Sequence, residues 1–319
     1  MSTFTDPTED AFTVSVPAGW STKGGVQRAS ELAATVYVVA TSPDSATTIG
    51  IGDPSIPPFA LPTDGQPAGG TVKNAAGATA TVAAYETGAQ FAADYAQRAY
   101  GSTCTGMQAA GTQAEPDLVQ QVQTQSAKFA GEVGAPPPSV NFDGASARFT
   151  CQFNGAPYAV GVLAVTGLQQ NPNGPGGYWA VPAIVSYRTP AASQAPTEQM
   201  ARSMEQSLQH TPQWDARMAS ATKQLIAGME AQANQLAAMT QRDNAMLNAN
   251  ENRLNANLNA GHAAFMQQFN AQGAARTAAW NQHMYNKETG QQSEMRYINN
   301  QTCVQWWDAA HTRCRTTAQ

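Results

Sequence analysis

The sequence predicts an α+β fold: an antiparallel sheet with packed helices, followed by a long α-helix with an 11-residue apolar repeat and a small disulfide-stapled β cap. Three observations carry this. "SARFTCQF" (146–153) alternates apolar and polar side chains up to the hairpin dipeptide Asn154-Gly155 and a second run, "PYAVGVLAV". Helix starts at Thr87, Pro116 and Pro196 are interleaved with such strands. Beyond Thr211-Pro212 apolar residues recur every eleven positions, and no further proline occurs.

In chain order, "MSTFTDPTED" has neither the basic region nor the apolar core of a signal peptide, so residues 1–10 read as a flexible terminus, with any signal already removed. The domain spans 11–210. "TVYVVAT" and "TTIGI" flank the turn "SPDSA" as one hairpin, and "SARFTCQF" with "PYAVGVLAV" makes another, with Ala147, Phe149, Cys151 and Phe153 on one face. "YWAVPAIVSYR" (178–188) adds a strand. Thr87 caps a helix carrying Phe91, Tyr95 and Ala99, and Pro116 opens another through Leu118 and Val122. Pro196 starts a third with Met200, Met204 and Leu208 on one side, for which His210 reads as the C-terminal end.

Residues 211–286 read as one long helix. Trp214, Leu225, Leu236, Leu247, Leu258, Phe269 and Trp280 form a seam at intervals of eleven, about 3.67 residues per turn, which is straight or slightly right-handed. Met218, Met229, Leu254, Phe265, Met266 and Met284 widen it, and His262 beside it reads as a polar register residue. Several short helices in a bundle would give the same stripe, but no turn cluster interrupts 214–284. A helix of about 105 Å cannot bury its stripe against a sheet roughly 20–30 Å across. The seam therefore implies a homo-oligomer.

Four cysteines divide by position into two pairs. Cys151 shares the face of Phe149 and Phe153, and Cys104 follows the helix that packs there; a bridge would contribute about 4 kcal/mol on the chain-entropy model. At the C-terminus "MRYI", "CVQWW" and "TRC" read as a small meander over 287–319 that a Cys303–Cys314 staple would hold by about 3 kcal/mol. Cys303, His311 and Cys314 make only three zinc ligands without C-x₂-C spacing, so no metal is expected. Trp306 and Trp307, adjacent on a strand, face opposite sides, which offers one of them as a contact for a protein partner. Two disulfides imply an oxidising compartment, hence a secreted or periplasmic protein.

Charged residues make up 12% of the chain, about half the average, and the net charge is −5. Residues 1–195 hold 7 Lys+Arg against 13 Asp+Glu and residues 196–319 hold 10 against 9, which excludes a basic nucleic-acid binder. The apolar run "YAVGVLAVTGL" is too short for a transmembrane segment. No phosphate-binding, nucleophile-elbow or metalloprotease motif occurs, so no catalytic residue and no cofactor are assigned. The loops "IGDPSIPPF" (51–59) and "NPNGPGG" (171–177), with Trp20, Tyr178 and Trp179 nearby in pattern, have the composition of a pocket border and equally of ordinary connections.

"AFTVSVPAGW" (11–20), and the closing "SYRTP" followed by an amphipathic helix and "TPQW", resemble the opening and the end of PsbP-like domains over roughly residues 10–214. The resemblance implies an α-β-α sandwich and accessory or adaptor work more than catalysis. It brings no binding residue with it, and the remaining residues have no counterpart there. The expectation is a non-enzymatic structural or adaptor protein of the bacterial cell envelope or exterior, assembling through its long helix. The alternatives are a hydrolase or other enzyme with a site in the α+β domain, or a subunit of an extracellular filament.

Overall fold

A computed structural model describes residues 1–73, 77–137, 139–171 and 174–288, with side chains to residue 283. The expected cap lies outside these residues apart from 287 and 288, as do Cys303, Cys314, Trp306 and Trp307.

In chain order the strands are β1 (Ser2–Thr5), β2 (Phe12–Val16), β3 (Ser21–Arg28), β4 (Ala34–Thr41), β5 (Thr48–Ile51), β6 (Phe59–Ala60), β7 (Thr71–Lys73) and β8 (Thr79–Val82). Helix α1 (Gly88–Tyr100), β9 (Thr105–Ala114), α2 (Pro116–Val133), β10 (Asn141–Phe153), β11 (Ala156–Gln170) and β12 (Gly177–Pro190) follow. A 3₁₀ turn leads to α3 (Gln194–Ser207), then β13 (Gln209–His210) and α4 (Pro212–Glu288). The main sheet runs β3-β4-β5-β12-β11-β10-β9, every neighbour antiparallel, and β6 to β8 attach beside β12.

The β10–β11 hairpin turns at Asn154 and Gly155, whose φ values of 51° and 76° are the left-handed pair that a two-residue hairpin requires. Between its ends β11 is buried at every position from Tyr158 to Gly167, so both faces of the sheet are covered. Val160, Val162 and Ala164 pack with Phe91, Ala92 and Ala96 of α1, while Leu163 and Val165 pack with Leu118 and Val122 of α2 and Met204 of α3. Gly161 must be glycine, because a Cβ there would stand 2.3 Å from the Tyr187 ring. On the α1 face Cys104 and Cys151 form a disulfide with Cα atoms 5.5 Å apart.

Two of the three helix starts follow the expected chemistry, while α3 begins at Gln194, two residues ahead of Pro196. Thr87 accepts from the Gln90 N–H, and the Gln90 side chain accepts from the Thr87 N–H, a full capping box. Pro116 stands at the first position of α2, and Gly134, in the left-handed region, closes it. Helix α3 is tied down by charge. Glu198 accepts from Arg148 at 2.7 and 2.9 Å, from Arg202 at 3.1 Å and from the Tyr187 hydroxyl at 3.1 Å, and Arg202 reaches Glu115 by two bonds of 2.8 Å. The Arg148 hydrogen bonds above all hold the Glu198 carboxyl at about 2.

Three expectations need correction. Residues 1–10 are not a loose terminus: β1 pairs with β2, and the Asp6 carboxylate is buried. It accepts the Thr8 hydroxyl and the backbone N–H groups of Thr8, Glu9 and Ala11. These bonds hold its pKa below the ordinary carboxylate value although burial acts in the opposite direction. His210 does not end a helix: α3 stops at Ser207, and His210 pairs with Phe12 in the small sheet β1-β2-β13. The domain's core does not stop at residue 210, because Trp214, Met218 and Ala219 are buried with Phe12, Val14 and Met204 or beside them. Thr211 caps α4 by accepting the Trp214 N–H, and both Arg28 and Arg217 bind Glu9. The compact first unit runs to Gln232.

A chain ending at Gln232 is therefore expected to keep the domain's cooperative melting, while one ending at Gln209 should melt about 10 °C lower or more, in calorimetry, for want of two large core side chains. Glu198 has a folded pKa below its unfolded one, so its contribution is present above pH 4.5 and lost as pH falls toward 2. The melting temperatures of wild type and Glu198→Gln should accordingly differ most near neutrality and converge below pH 4.5.

Candidate functional site

The structure divides the predicted seam. Trp214 belongs to the domain core and Leu225 is half-buried, whereas Leu236, Leu247 and Leu258 are 66%, 65% and 62% exposed. Phe269 and Trp280 are also exposed, as are the flanking Met229, Leu254, Phe265 and Met266. All lie on one uninterrupted 77-residue helix. Gly228, Gly261 and Gly273 meet nothing within 4 Å of where a Cβ would sit, so no close approach among the described residues calls for glycine there. Among the described residues no helix is long and apolar enough to cross a membrane.

A second feature lies within the first unit. A cavity of about 540 Å³ opens between the strand ends Gln27–Arg28, Ala33–Val36 and Ala180–Ile184, the loop from Ile51 to Pro58, and Gln121, Val122, Gln125, Glu205, Leu208, His210 and Trp214. The volume suits a small organic molecule. The loop "IGDPSIPPF" thus borders a cavity, while Trp20, Tyr178 and Trp179 do not line it. Trp179 is instead stacked on Phe59 at 3.9 Å, its indole N–H donated to the Ala83 carbonyl, and Tyr178 is exposed.

Glu205, near the end of α3, is the unusual group of this wall. Burial raises its carboxyl pKa above the ordinary value, and the hydrogen bond that partly offsets this comes from the neutral Gln121 amide, 2.9 Å away. Across the cavity Arg28 is held by Glu9 through two bonds of 2.6 Å, and this lowers the Glu9 carboxyl. The Trp214 indole N–H also bears on Glu9, in a geometry short of a full hydrogen bond. His210 packs at a tilt against Trp214, ring centroids 4.6 Å apart, with Nδ1 3.2 Å from Asp215. Sequence reasoning assigned Glu205 and His210 to no pocket and Trp214 to the seam; their one shared signal was proximity to the α3–α4 junction.

No family model matches the chain, and no curated protein does. The structure is similar to the solution structure of cyanobacterial PsbP (CyanoP) from Synechocystis sp. PCC 6803, with a TM-score of 0.30 and 8% identity, over 66% of this chain and 92% of that one. That protein bears the name of the family whose domains the segments 11–20 and 186–190 resemble.

A carboxyl whose pKa is raised by folding destabilises the fold once the pH exceeds its unfolded value of 4.5. Glu205→Gln keeps an acceptor for Gln121 and removes the charge. It is expected to raise the melting temperature by about 2 °C at pH 7 and not at pH 4, measured by calorimetry at both values.

Proposed function

We propose that this is a non-enzymatic structural or adaptor protein of the bacterial cell envelope or exterior, whose copies assemble through α4. One observation carries the reading: the eleven-residue ruler from Leu236 to Trp280 stands open to water on a single helix. Covering each leucine is worth about 1.5–3 kcal/mol. The polar faces in between, "NANENRLNANLNAG", are rich in asparagine, a mediocre helix former, so this stretch of helix lacks the propensity to stand alone. Contact between copies supplies what propensity does not. The Cys104–Cys151 disulfide supports an oxidising location. A subunit of an extracellular filament is the same assembly left unclosed.

An enzyme with its site in the α+β domain is the second reading, favoured by the raised Glu205 carboxyl on a cavity wall. Against it, the group bonded to Glu205 is an amide, which is neither a nucleophile nor a base.

Wild type is expected to run as an oligomer in light scattering at tens of micromolar. Leu236→Asn with Leu258→Asn should shift it strongly toward monomer while the domain's melting changes little. A monomeric wild type would overturn assembly through α4.

A further inference from the structure

Among the described charged groups on the cavity wall, two carboxylates, Asp53 and Glu205, form no ion pair and have neutral hydrogen-bond partners. Arg28 is taken by Glu9 and by the Glu31 carbonyl. Asp53 accepts the Ser55 N–H and the Tyr95 hydroxyl, each at 2.8 Å. His210 is paired with Asp215. Glu205 is hydrogen-bonded to the neutral Gln121 amide, while Arg202, whose charge still reaches it, gives its hydrogen bonds to Glu115 and Glu198. The rest of the wall is mixed: beside polar groups such as Gln27 and Gln125 it has an apolar part from Val36, Pro57, Val122 and Trp214.

We infer that this cavity binds a small organic cation, a primary amine on an apolar body, with Glu205 as counter-ion to the ammonium. An ammonium brings three donors, and a charge-assisted bond to a carboxylate is roughly twice as strong as a neutral one. The apolar body gains by leaving water against the proline and aliphatic wall. An anionic ligand meets Glu205 and Asp53, both of its own sign. A neutral apolar ligand excludes water from Glu205 and returns no partner, which makes ionisation of that carboxyl costlier still. Burial already raises the Glu205 pKa, and a bound ammonium reverses that shift. All lining residues fall within Met1–Gln232, so this site does not depend on assembly through α4.

The test is calorimetric titration of the full chain at pH 7.5 with 2-phenylethylamine and with its neutral counterpart 2-phenylethanol. The amine should bind at least tenfold more tightly, and Glu205→Gln should reduce that preference to within twofold while the protein still melts cooperatively. Equal affinity for the two probes, or no binding of either at millimolar concentration, overturns the inference, as does a Glu205→Gln protein that keeps the preference. Should that variant fail to fold, Ser55→Trp provides an independent check. Ser55 is exposed on the rim and engages Asp53 through its backbone, so the indole would fill the mouth without removing a polar contact. It should weaken the amine at least tenfold, and unchanged affinity would place the amine elsewhere and overturn the site.

Discussion

The central strand β11 is buried on both faces, so the sheet must be covered twice, and that constraint organises everything else in the domain. Helix α1 and the Cys104–Cys151 bridge cover one face. On the other face α2 and α3 leave part of the sheet open, and the remainder is closed by the β1–β2 hairpin and the first turns of α4. The two ends of the domain are thus held together: β13 pairs with β2, Thr211 bonds Asp10 and Ala11, and Glu9 gathers one arginine from β3 and one from α4. A terminus and a helix start that belong to no obvious element become structural because each buries apolar surface the sheet cannot cover alone.

The same two-sided covering explains where the charges are. A helix laid on a sheet puts its flanking polar groups at half-buried positions, where each needs a partner. Helix α3 solves this for Glu198 with two arginines and a tyrosine, which pushes the Tyr187 hydroxyl up to about 12 through burial and the Glu198 charge beside it. About two turns further on, Glu205 forms no ion pair among the described residues and is hydrogen-bonded to the neutral Gln121 amide. Arg202, three residues before it, could have served both, but Glu115 at the start of α2 takes its guanidinium by two bonds. The difference between a satisfied carboxylate and a strained one is therefore set by a contact with another helix.

That is also why the two were not distinguishable in the sequence, where both read as ordinary charges on an amphipathic helix. The β10–β11 hairpin was legible because one face of β10 is apolar and the turn needs two left-handed residues that Asn-Gly supplies. The Thr87 cap was legible because its chemistry is local. Strand β9 was not, since nearly all its residues are exposed on both faces and no alternation marks "TGMQAAGTQA". Residues 2–5 are too few and too polar to announce a strand, and the turn that fixes them depends on where the single carboxylate of Asp6 points.

The seam shows the limit of periodicity most clearly. An eleven-residue repeat states which side of a helix prefers to leave water, not what covers it. Trp214 and Leu236 are equivalent marks on the ruler, yet the first is a core residue of the domain and the second is two-thirds exposed. Their roles also differ energetically. Docking the first turns of α4 against β2 and α3 fixes a helical start, the step that isolated helices find costly. Extension from that start adds one hydrogen bond per residue fixed, but through a run of asparagine and isolated glycine each step is close to neutral. A helix nucleated by its own domain and extended through weak formers gains most when a second apolar surface lies along it. This makes the exposed ruler a matter of helix stability as well as of the proposed contact between copies.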